Sequence, residues 1–227
     1  MAQTQAVVSN GVAAVTAPIT LSATVGGTLI YAIWLGSGAV TTLVDSAGGS
    51  LAGGQWASSG AGGPWFIYYR LNAPAGITAV TAAFASAEYL AYCCERDDIV
   101  SFDKLGAVTD SGGSVSSWAS GSTGTLSFAT EVCLGFAATF TGGAQGPAAS
   151  GGWSAGTGTG LTAGAWADPG GSQAFVETQI VAATTALQAT GTWVTPSYTY
   201  AVAVTFRQTG GGGGGGIGRN RLLMGVG

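Results

Sequence analysis

The residues in this chain best suited to acid–base chemistry are its ten carboxylates, and the chain contains no histidine. The lack of histidine excludes Ser-His-Asp triads, Cys-His dyads and His-ligated metals. Glu88 and Glu177 lie inside predicted strands, and a pair of carboxylates beside a cleft is the arrangement of glycoside hydrolases. Nothing in the sequence sets their separation, so we favour the alternative that they face solvent or pair with a base such as Arg70. We therefore expect no catalytic residues and no enzyme activity.

Four acidic residues lie close together and could offer oxygen ligands to calcium. They are Glu95, Asp97, Asp98 and Asp103. The spacing of an EF-hand loop is missing, and we favour a hydrated loop whose charges pair with Arg96 and Lys104. The three cysteines lack the spacing of a zinc site, and we expect them to be buried free thiols. The sequence therefore predicts neither a metal nor a cofactor.

Five of the seven tryptophans lie in or beside loops rich in glycine and serine. Exposed tryptophans in loops can stack on sugar faces, which makes Trp56, Trp153 and Trp166 candidate contacts to a glycan. The alternative, which we favour, is that these rings cap the open ends of a sandwich or anchor subunit contacts. A lectin-like adhesin or receptor-binding module that binds carbohydrate is therefore the second functional hypothesis.

The C-terminal stretch, residues 198–227, combines a strand with a glycine-rich arm. Residues 198–206 alternate large and small side chains, and residues 210–216 are seven consecutive glycines. A glycine run has a high entropic cost of ordering, so we expect the arm, 210–227, to be held by a neighbouring subunit. Its arginines would pair with carboxylates while its apolar side chains fill a groove or add to a sheet edge. The predicted assembly contacts are Ile217, Arg219, Arg221, Leu222, Leu223, Met224 and Val226.

The composition combines a large apolar fraction with very few charges. Hydrophobic residues make up 47% of the chain and charged residues only 7%, far below the quarter or so typical of soluble domains. We therefore expect much of the exterior to be covered by other chains. A net charge of −4 predicts no nucleic-acid partner. The first residues lack a basic region and a long apolar run, so we expect no signal peptide, no membrane contact and synthesis in the cytoplasm.

The order of the elements predicts an all-β protein. Short segments with β-type patterns alternate with turn residues, and no amphipathic helix lies between them. The predicted strands are one or two in 2–27, then 28–35, 39–44, 64–71, 77–84, 88–94, 131–140, 174–181, 187–193 and 198–206. The segment 95–127 is rich in charge, serine and glycine, and we interpret it as a long solvated connection with at most one short strand.

Two parts of the chain, about 28–94 and 130–207, show the same order of features. The matched pairs are Leu29 with Val132, Trp56 with Trp153, Phe66 with Phe175, and Tyr92 with Tyr200. We infer a divergent duplication of a unit of roughly four strands. The predicted fold is one jelly-roll-like antiparallel β-sandwich, residues 1–209, in which the halves interleave. Two separate small sandwiches are the alternative. Small apolar residues on outer faces favour a tightly packed oligomer.

Several motifs resemble phage and bacterial surface β-sandwich proteins. They are Val44-Asp45-Ser46-Ala47-Gly48, Asn72-Ala73-Pro74-Ala75-Gly76, Glu131-Val132-Cys133-Leu134-Gly135-Phe136-Ala137-Ala138, and the glycine-rich tail. The chain departs from the usual pattern at residues 93–98. The resemblance implies a structural protein of a virion, either a capsid-decoration protein or a head or tail accessory protein. Its expected partners are copies of itself, a trimer being one option, and other virion proteins.

Overall fold

The computed structural model describes residues 3–59, 64–140, 146–159, 161 and 164–209. Within these ranges the chain forms fourteen strands and no helix. The first six strands are β1 (Gln3–Thr20), β2 (Thr28–Leu35), β3 (Val40–Asp45), β4 (Ala57–Ser58), β5 (Trp65–Arg70) and β6 (Ala79–Arg96). The other eight are β7 (Ile99–Leu105), β8 (Thr109–Ala119), β9 (Glu131–Thr139), β10 (Pro147–Ala149), β11 (Ser154–Ala155), β12 (Ala165–Ala167), β13 (Gln173–Val181) and β14 (Thr190–Gln208).

The strands form two antiparallel sheets. The first has the order β1-β6-β2-β5-β4, with β3 also paired to β6. The second has the order β10-β14-β9-β13-β11, with β12 on β13 and with β7 and β8 on β14. The prediction of an all-β sandwich is confirmed. The expected interleaving of the halves is wrong, because strands β1–β6 all lie in one sheet and β7–β14 all lie in the other.

The same order of strands occurs in both sheets. In the first sheet β4 pairs with β5, β5 with β2 and β2 with β6. In the second sheet β11 pairs with β13, β13 with β9 and β9 with β14. Each half of the chain therefore builds one sheet around a central strand, β2 or β9. Both central strands are buried along their whole length, which explains why they are apolar on both faces.

The segment 95–127 is not the solvated connection that its composition suggests. It contains the whole of β7 and the whole of β8, and both strands pair with β14. Strand β8 runs through small polar residues and alternates between partly buried and exposed positions. An edge strand with one wet face can consist of serine, threonine and glycine, a composition that is also typical of loops. Two predicted pairs of strands are likewise single long strands. The pair 77–84 and 88–94 forms β6, and the pair 187–193 and 198–206 forms β14.

Three clusters of buried side chains hold the sheets together. One lies between the sheets and includes Trp34, Tyr92, Phe136, Val202 and Phe206. A second cluster covers the other face of the first sheet, and a third covers the other face of the second sheet. We refer to these as the shared core, the first outer core and the second outer core. Each half thus buries both faces of its own sheet, which a thin two-layer sandwich does not do.

The cysteines are buried free thiols, as predicted. Cys94 lies in the shared core, and its neighbour Cys93 lies in the first outer core, because successive side chains of a strand point to opposite faces. Cys133 lies in the second outer core. Burial raises the pKa of Cys94 to about 11 and the pKa of Cys133 to about 12. These thiols are therefore small core side chains with little thiolate character.

Candidate functional site

The three tryptophans proposed as glycan contacts are buried. Trp56 is 2% exposed, Trp153 7% and Trp166 4%. Trp56 and Trp153 lie in the first and second outer cores, and Trp166 packs against Tyr92 in the shared core. The glycan-contact hypothesis requires exposed rings and is therefore wrong for these three, whereas their burial agrees with the favoured alternative that they pack against the sandwich. None of the three offers a free face on which a sugar could stack.

Arg70 pairs with Asp45 and not with either of the two glutamates considered above. The Asp45 carboxylate also accepts hydrogen bonds from Trp56 Nε1 at 2.8 Å and from the backbone amide of Gly49 at 3.1 Å. Burial by itself raises the pKa of Asp45, but the hydrogen bonds from Arg70, Trp56 and the backbone outweigh it and lower the pKa. This ion pair fixes the turn after β3 to strand β5. Because the carboxylate of Asp45 is already bonded to Arg70, Trp56 and the backbone, we assign the pair a structural role.

Glu177 is a buried carboxyl group in the second sheet, contrary to the expectation that it faces solvent or a base. Its Oε1 accepts the backbone amide of Thr190 at 3.0 Å, and its Oε2 has no hydrogen-bond partner among the described residues. Burial raises the pKa of Glu177 to about 9. Glu88 belongs to β6 of the first sheet, and burial, followed by the effect of the Asp168 carboxyl, raises its pKa. The two glutamates therefore have different neighbours and do not form the pair that glycosidase chemistry requires.

The acidic residues considered as calcium ligands do not converge. In the described part of the chain, no group of three or more His, Cys, Asp or Glu side chains is arranged to hold a metal ion. Glu95 is buried and accepts the backbone amides of Val25 and Gly26 at 2.9 and 3.1 Å. Asp103 lies 3.9 Å from Lys104. The predicted charge pairing is thus present, but Glu95 is buried and does not lie in a hydrated loop.

Glu131 and Asp103 are carboxyl groups of the second sheet that influence each other's pKa. Glu131 is fully buried, and its Oε1 accepts the backbone amide of Phe128 at 3.2 Å. Burial, followed by the effect of the Asp103 carboxyl, raises the pKa of Glu131 to about 7. Asp103 accepts the amide of Ser127 at 2.8 Å. These bonds tie the start of β9 to β7, which is a structural role.

The end of β14 is held firmly in place. Asp98 accepts two hydrogen bonds from Arg96 at 2.9 and 2.8 Å and one from Gln208 at 3.0 Å. The Asp98 carbonyl oxygen accepts the backbone amide of Thr209 at 2.6 Å. The predicted assembly contacts, Ile217, Arg219, Arg221, Leu222, Leu223, Met224 and Val226, lie outside the described residues. The structure therefore fixes the point from which residues 210–227 continue.

A shallow groove lies next to Thr209. Its lining includes Val25, Pro74, Asp97 and Val100. Val25 is 68% exposed and Val100 44% exposed, and Asp97 Oδ1 is buried without a hydrogen-bond partner in the described chain. The groove thus combines apolar side chains with one carboxylate oxygen that lacks a donor.

The exterior carries almost no charge. The described ranges contain fourteen charged residues, and only Asp110 and Arg207 of these are exposed. Seven are buried: Asp45, Glu95, Arg96, Asp98, Glu131, Asp168 and Glu177. Several large apolar side chains are exposed instead, among them Val12, Val15, Val25, Ile180 and Val194. The surface is therefore even less charged than the composition of the chain implies.

Comparison with protein-family models, with curated proteins and with solved structures found no match. The described residues contain no helix that is long and apolar enough to span a membrane. The function therefore has to be argued from the chain's own surface.

Proposed function

We propose that this chain is a non-enzymatic structural subunit of a phage-like virion, a capsid-decoration protein or a head or tail accessory protein. It packs against copies of itself and against other virion proteins, and residues 210–227 anchor it. The observation that carries the proposal is the nearly uncharged exterior, on which Asp110 and Arg207 are the exposed charged residues of the described ranges. The motifs that resemble phage surface β-sandwich proteins select this kind of particle among possible assemblies.

An uncharged exterior is poorly suited to a free monomer. Soluble domains keep roughly 25–35% charged residues on their surface, with both signs interspersed, and this keeps them apart. Here the exposed positions include Val194, which is 83% exposed, and Val15, which is 59% exposed. Such a surface gains stability when another protein covers it, because apolar area leaves water and few charges have to be desolvated.

The distribution of charge supports a role for the arm in anchoring. All ten acidic residues and four of the six basic residues lie in the described ranges, and the other two basic residues are Arg219 and Arg221. The body is therefore acidic and the arm basic, which favours docking of the arm on a neighbouring body. Seven glycines span at most about 24 Å when extended, far enough to reach an adjacent subunit.

Sedimentation of the full chain tests the proposal. We expect oligomers whose size grows with protein concentration, and we expect the double variants Arg219→Ser/Arg221→Ser and Leu222→Ser/Leu223→Ser to shift the population toward the 22.1 kDa monomer. Asn220→Ser, in the same tip but neutral, is the matched control and should assemble like the wild type. The proposal would be contradicted if the wild-type chain stayed monomeric at the highest concentrations, both alone and when mixed with other virion proteins. If every variant still forms oligomers, the proposal that other chains cover the exterior stands, but the proposal that the arm anchors the subunit is contradicted.

A further inference from the structure

The groove next to Thr209 has walls that the fold already holds in place. One wall is the loop between β1 and β2, and another is the loop between β5 and β6. The Ala73 amide donates to the carbonyl oxygen of Gly27 at 2.7 Å, and the Thr24 hydroxyl donates to the carbonyl oxygen of Pro74 at 2.9 Å. Because these bonds join the two loops, a bound segment does not have to order them, and less free energy is lost on binding.

The lining of the groove suits a segment that is both apolar and basic. Val25 and Val100 are exposed, and so is Pro74. An apolar side chain placed among them would leave water together with their exposed area. Asp97 is partly buried, and its Oδ1 is buried without a hydrogen-bond partner among the described residues. A buried acceptor without a donor costs free energy, so this carboxylate favours a charged donor as its partner.

The basic residues of the described ranges do not supply that donor. Each of the four has another partner: Arg70 pairs with Asp45, Arg96 with Asp98, Lys104 with Asp103, and Arg207 lies over the ring of Phe128. The two remaining basic residues of the chain are Arg219 and Arg221. They lie beside the apolar run Leu222-Leu223-Met224, so one short segment carries both kinds of group that the groove favours.

We propose that the tip of the arm of a second copy of this chain, residues 217–226, occupies this groove. One of its two arginines pairs with Asp97, and its apolar side chains, Leu223 among them, cover Val25 and Val100. This inference rests on the proposed function, in which the arm anchors the subunit, and it adds the surface that receives the arm. The groove and the arm are then the two sides of one interface between copies.

The point from which the arm continues favours an exchange between two copies. Thr209 itself lines the groove, and the seven glycines that follow span at most about 24 Å when extended. Two copies that face each other groove to groove can therefore exchange their arms, and a twofold axis makes every contact twice. A chain's own tip in its groove would leave the surrounding exterior in water. In the exchange the two bodies also cover each other, so more apolar area leaves water.

Disulfide trapping between two differently substituted chains tests the site. The native cysteines are buried free thiols, so they do not compete in the folded protein. After chains with Val100→Cys and chains with Leu223→Cys are mixed and oxidised, we expect a dimer of twice 22.1 kDa in which peptide mass spectrometry finds these two positions joined. Val194→Cys is the matched control, because Val194 is 83% exposed but lies at the opposite end of β14. It should not join Leu223→Cys.

Sedimentation of the chain with its native cysteines tests the role of Asp97. Asp97→Asn should raise the Kd of the dimer about tenfold to a hundredfold, because hydrogen bonds between charged groups are the stronger ones. Asp110→Asn removes the same charge from an exposed position outside the groove and should leave the Kd nearly unchanged. In a chain with Arg219→Ser/Arg221→Ser, Asp97→Asn should have no further effect, because its partner is already lost. Equal Kd values for Asp97→Asn and Asp110→Asn would contradict the ion pair.

Three outcomes separate this inference from the proposed function. If the arm variants weaken the oligomers but Val100→Cys and Leu223→Cys never join, the arm binds another surface, so this inference fails and the proposed function stands. If a chain with both substitutions joins them only within itself, the arm folds back on its own body and the exchange is wrong. If the wild type forms no oligomer, either alone or with other virion proteins, both proposals fail.

Discussion

Trp56 and Trp153 occupy the same position in the two halves of the chain. Each directly precedes a two-residue edge strand, β4 or β11, and each is buried in the outer core of its own sheet. Their hydrogen bonds differ. Trp56 Nε1 donates to the carboxylate of Asp45 at 2.8 Å, whereas Trp153 Nε1 donates to the carbonyl oxygen of Gln188 at 3.0 Å. The ring is shared between the halves, but the partner of its indole N–H has changed.

This difference predicts unequal costs for the same substitution. Trp56→Phe removes a donor from a buried carboxylate, and hydrogen bonds to charged groups contribute about 1.5–3 kcal/mol. Trp153→Phe removes a bond between neutral groups, which contributes about 0.5–1.5 kcal/mol. Both variants leave a similar cavity, so Trp56→Phe should lower the free energy of unfolding by about 1 kcal/mol more. Urea denaturation measures both values, and an equal or larger loss for Trp153→Phe would contradict the argument.

A glycine in the central strand of the second sheet makes room for Glu177. A Cβ atom at Gly135 would lie 2.5 Å from the Cβ of Ala189 and 2.8 Å from Cγ of Glu177. Gly135→Ala should therefore destabilise the fold by about 1–3 kcal/mol through overpacking. Gly113→Ala is the control, because nothing lies within 4 Å of its added Cβ. It should change the free energy of unfolding by less than about 1 kcal/mol, and equal losses in the two variants would count against the crowding of Gly135.

The sequence predicted the strands whose side chains are apolar and missed those that are polar. Strand β2 has the predicted bounds, 28–35, because both of its faces are buried and its residues are correspondingly large and apolar. Strand β8 has the composition of a loop because most of its positions are exposed or only partly buried, so packing does not require large apolar residues there. Which sheet a strand joins depends on long-range pairing, and local composition contains no information on it.

The pairing between strands also refines the predicted duplication. In the first sheet, the first residue of β4 pairs with Tyr69, which pairs with Ile30. In the second sheet, the first residue of β11 pairs with Thr178, which pairs with Leu134. Ile30 and Leu134 therefore occupy equivalent positions, and both lie in the shared core. The sequence comparison had matched Leu29 with Val132. Leu29 points into the first outer core, so that match is wrong by one residue. A shift of one residue exchanges the two faces of a strand, and a strand that is apolar on both faces does not reveal it.

The candidate site was less accessible to prediction than the fold. Tryptophans in glycine-rich loops suggested exposed rings, whereas those loops cover the outer cores with Trp56 and Trp153. Asp168 was overlooked because it begins the run Asp168-Pro169-Gly170-Gly171, which has the composition of an ordinary turn. Asp168 influences the pKa of Glu88 in the other sheet, and a single sequence cannot show which turn faces which strand.

The ion pair of Asp45 and Arg70 predicts a loss of stability in acid. Side chains of both residues are largely buried, at 0% and 12% exposure. Asp45→Asn leaves the guanidinium of Arg70 without its counter-charge, which should cost about 3 kcal/mol at pH 7. The folded-state pKa of Asp45 is lowered, so its contribution is present above the unfolded-state pKa and is lost as pH falls through the folded-state pKa. The gap between variant and wild type should therefore narrow below about pH 4. A gap that stays constant from pH 7 to pH 3 would show that the charge of Asp45 does not stabilise the fold.

Glu177 predicts the opposite dependence on pH. Its pKa rises from the ordinary value of 4.5 to about 9 on folding, because the carboxyl is buried. The folded chain therefore keeps a proton that the unfolded chain releases. The stability linked to this proton is fully present below pH 4.5 and is lost as pH rises toward about 9, at roughly 1.4 kcal/mol per pH unit. The Oε1 of glutamine can still accept the amide of Thr190, so Glu177→Gln removes the titration and keeps the hydrogen bond.

Glu177→Gln should consequently unfold with nearly the same free energy as the wild type at pH 5 and become the more stable protein as pH rises to 8. Urea denaturation at each pH measures the difference between the two chains. Glu131→Gln is the comparator, because burial and the effect of the Asp103 carboxyl raise the pKa of Glu131 only to about 7. Its advantage over the wild type should stop growing near pH 7, whereas that of Glu177→Gln continues to grow. If the Glu177→Gln advantage does not change between pH 5 and 8, the carboxylate is charged inside the folded protein, and the outer core of the second sheet must admit water or a cation beside it.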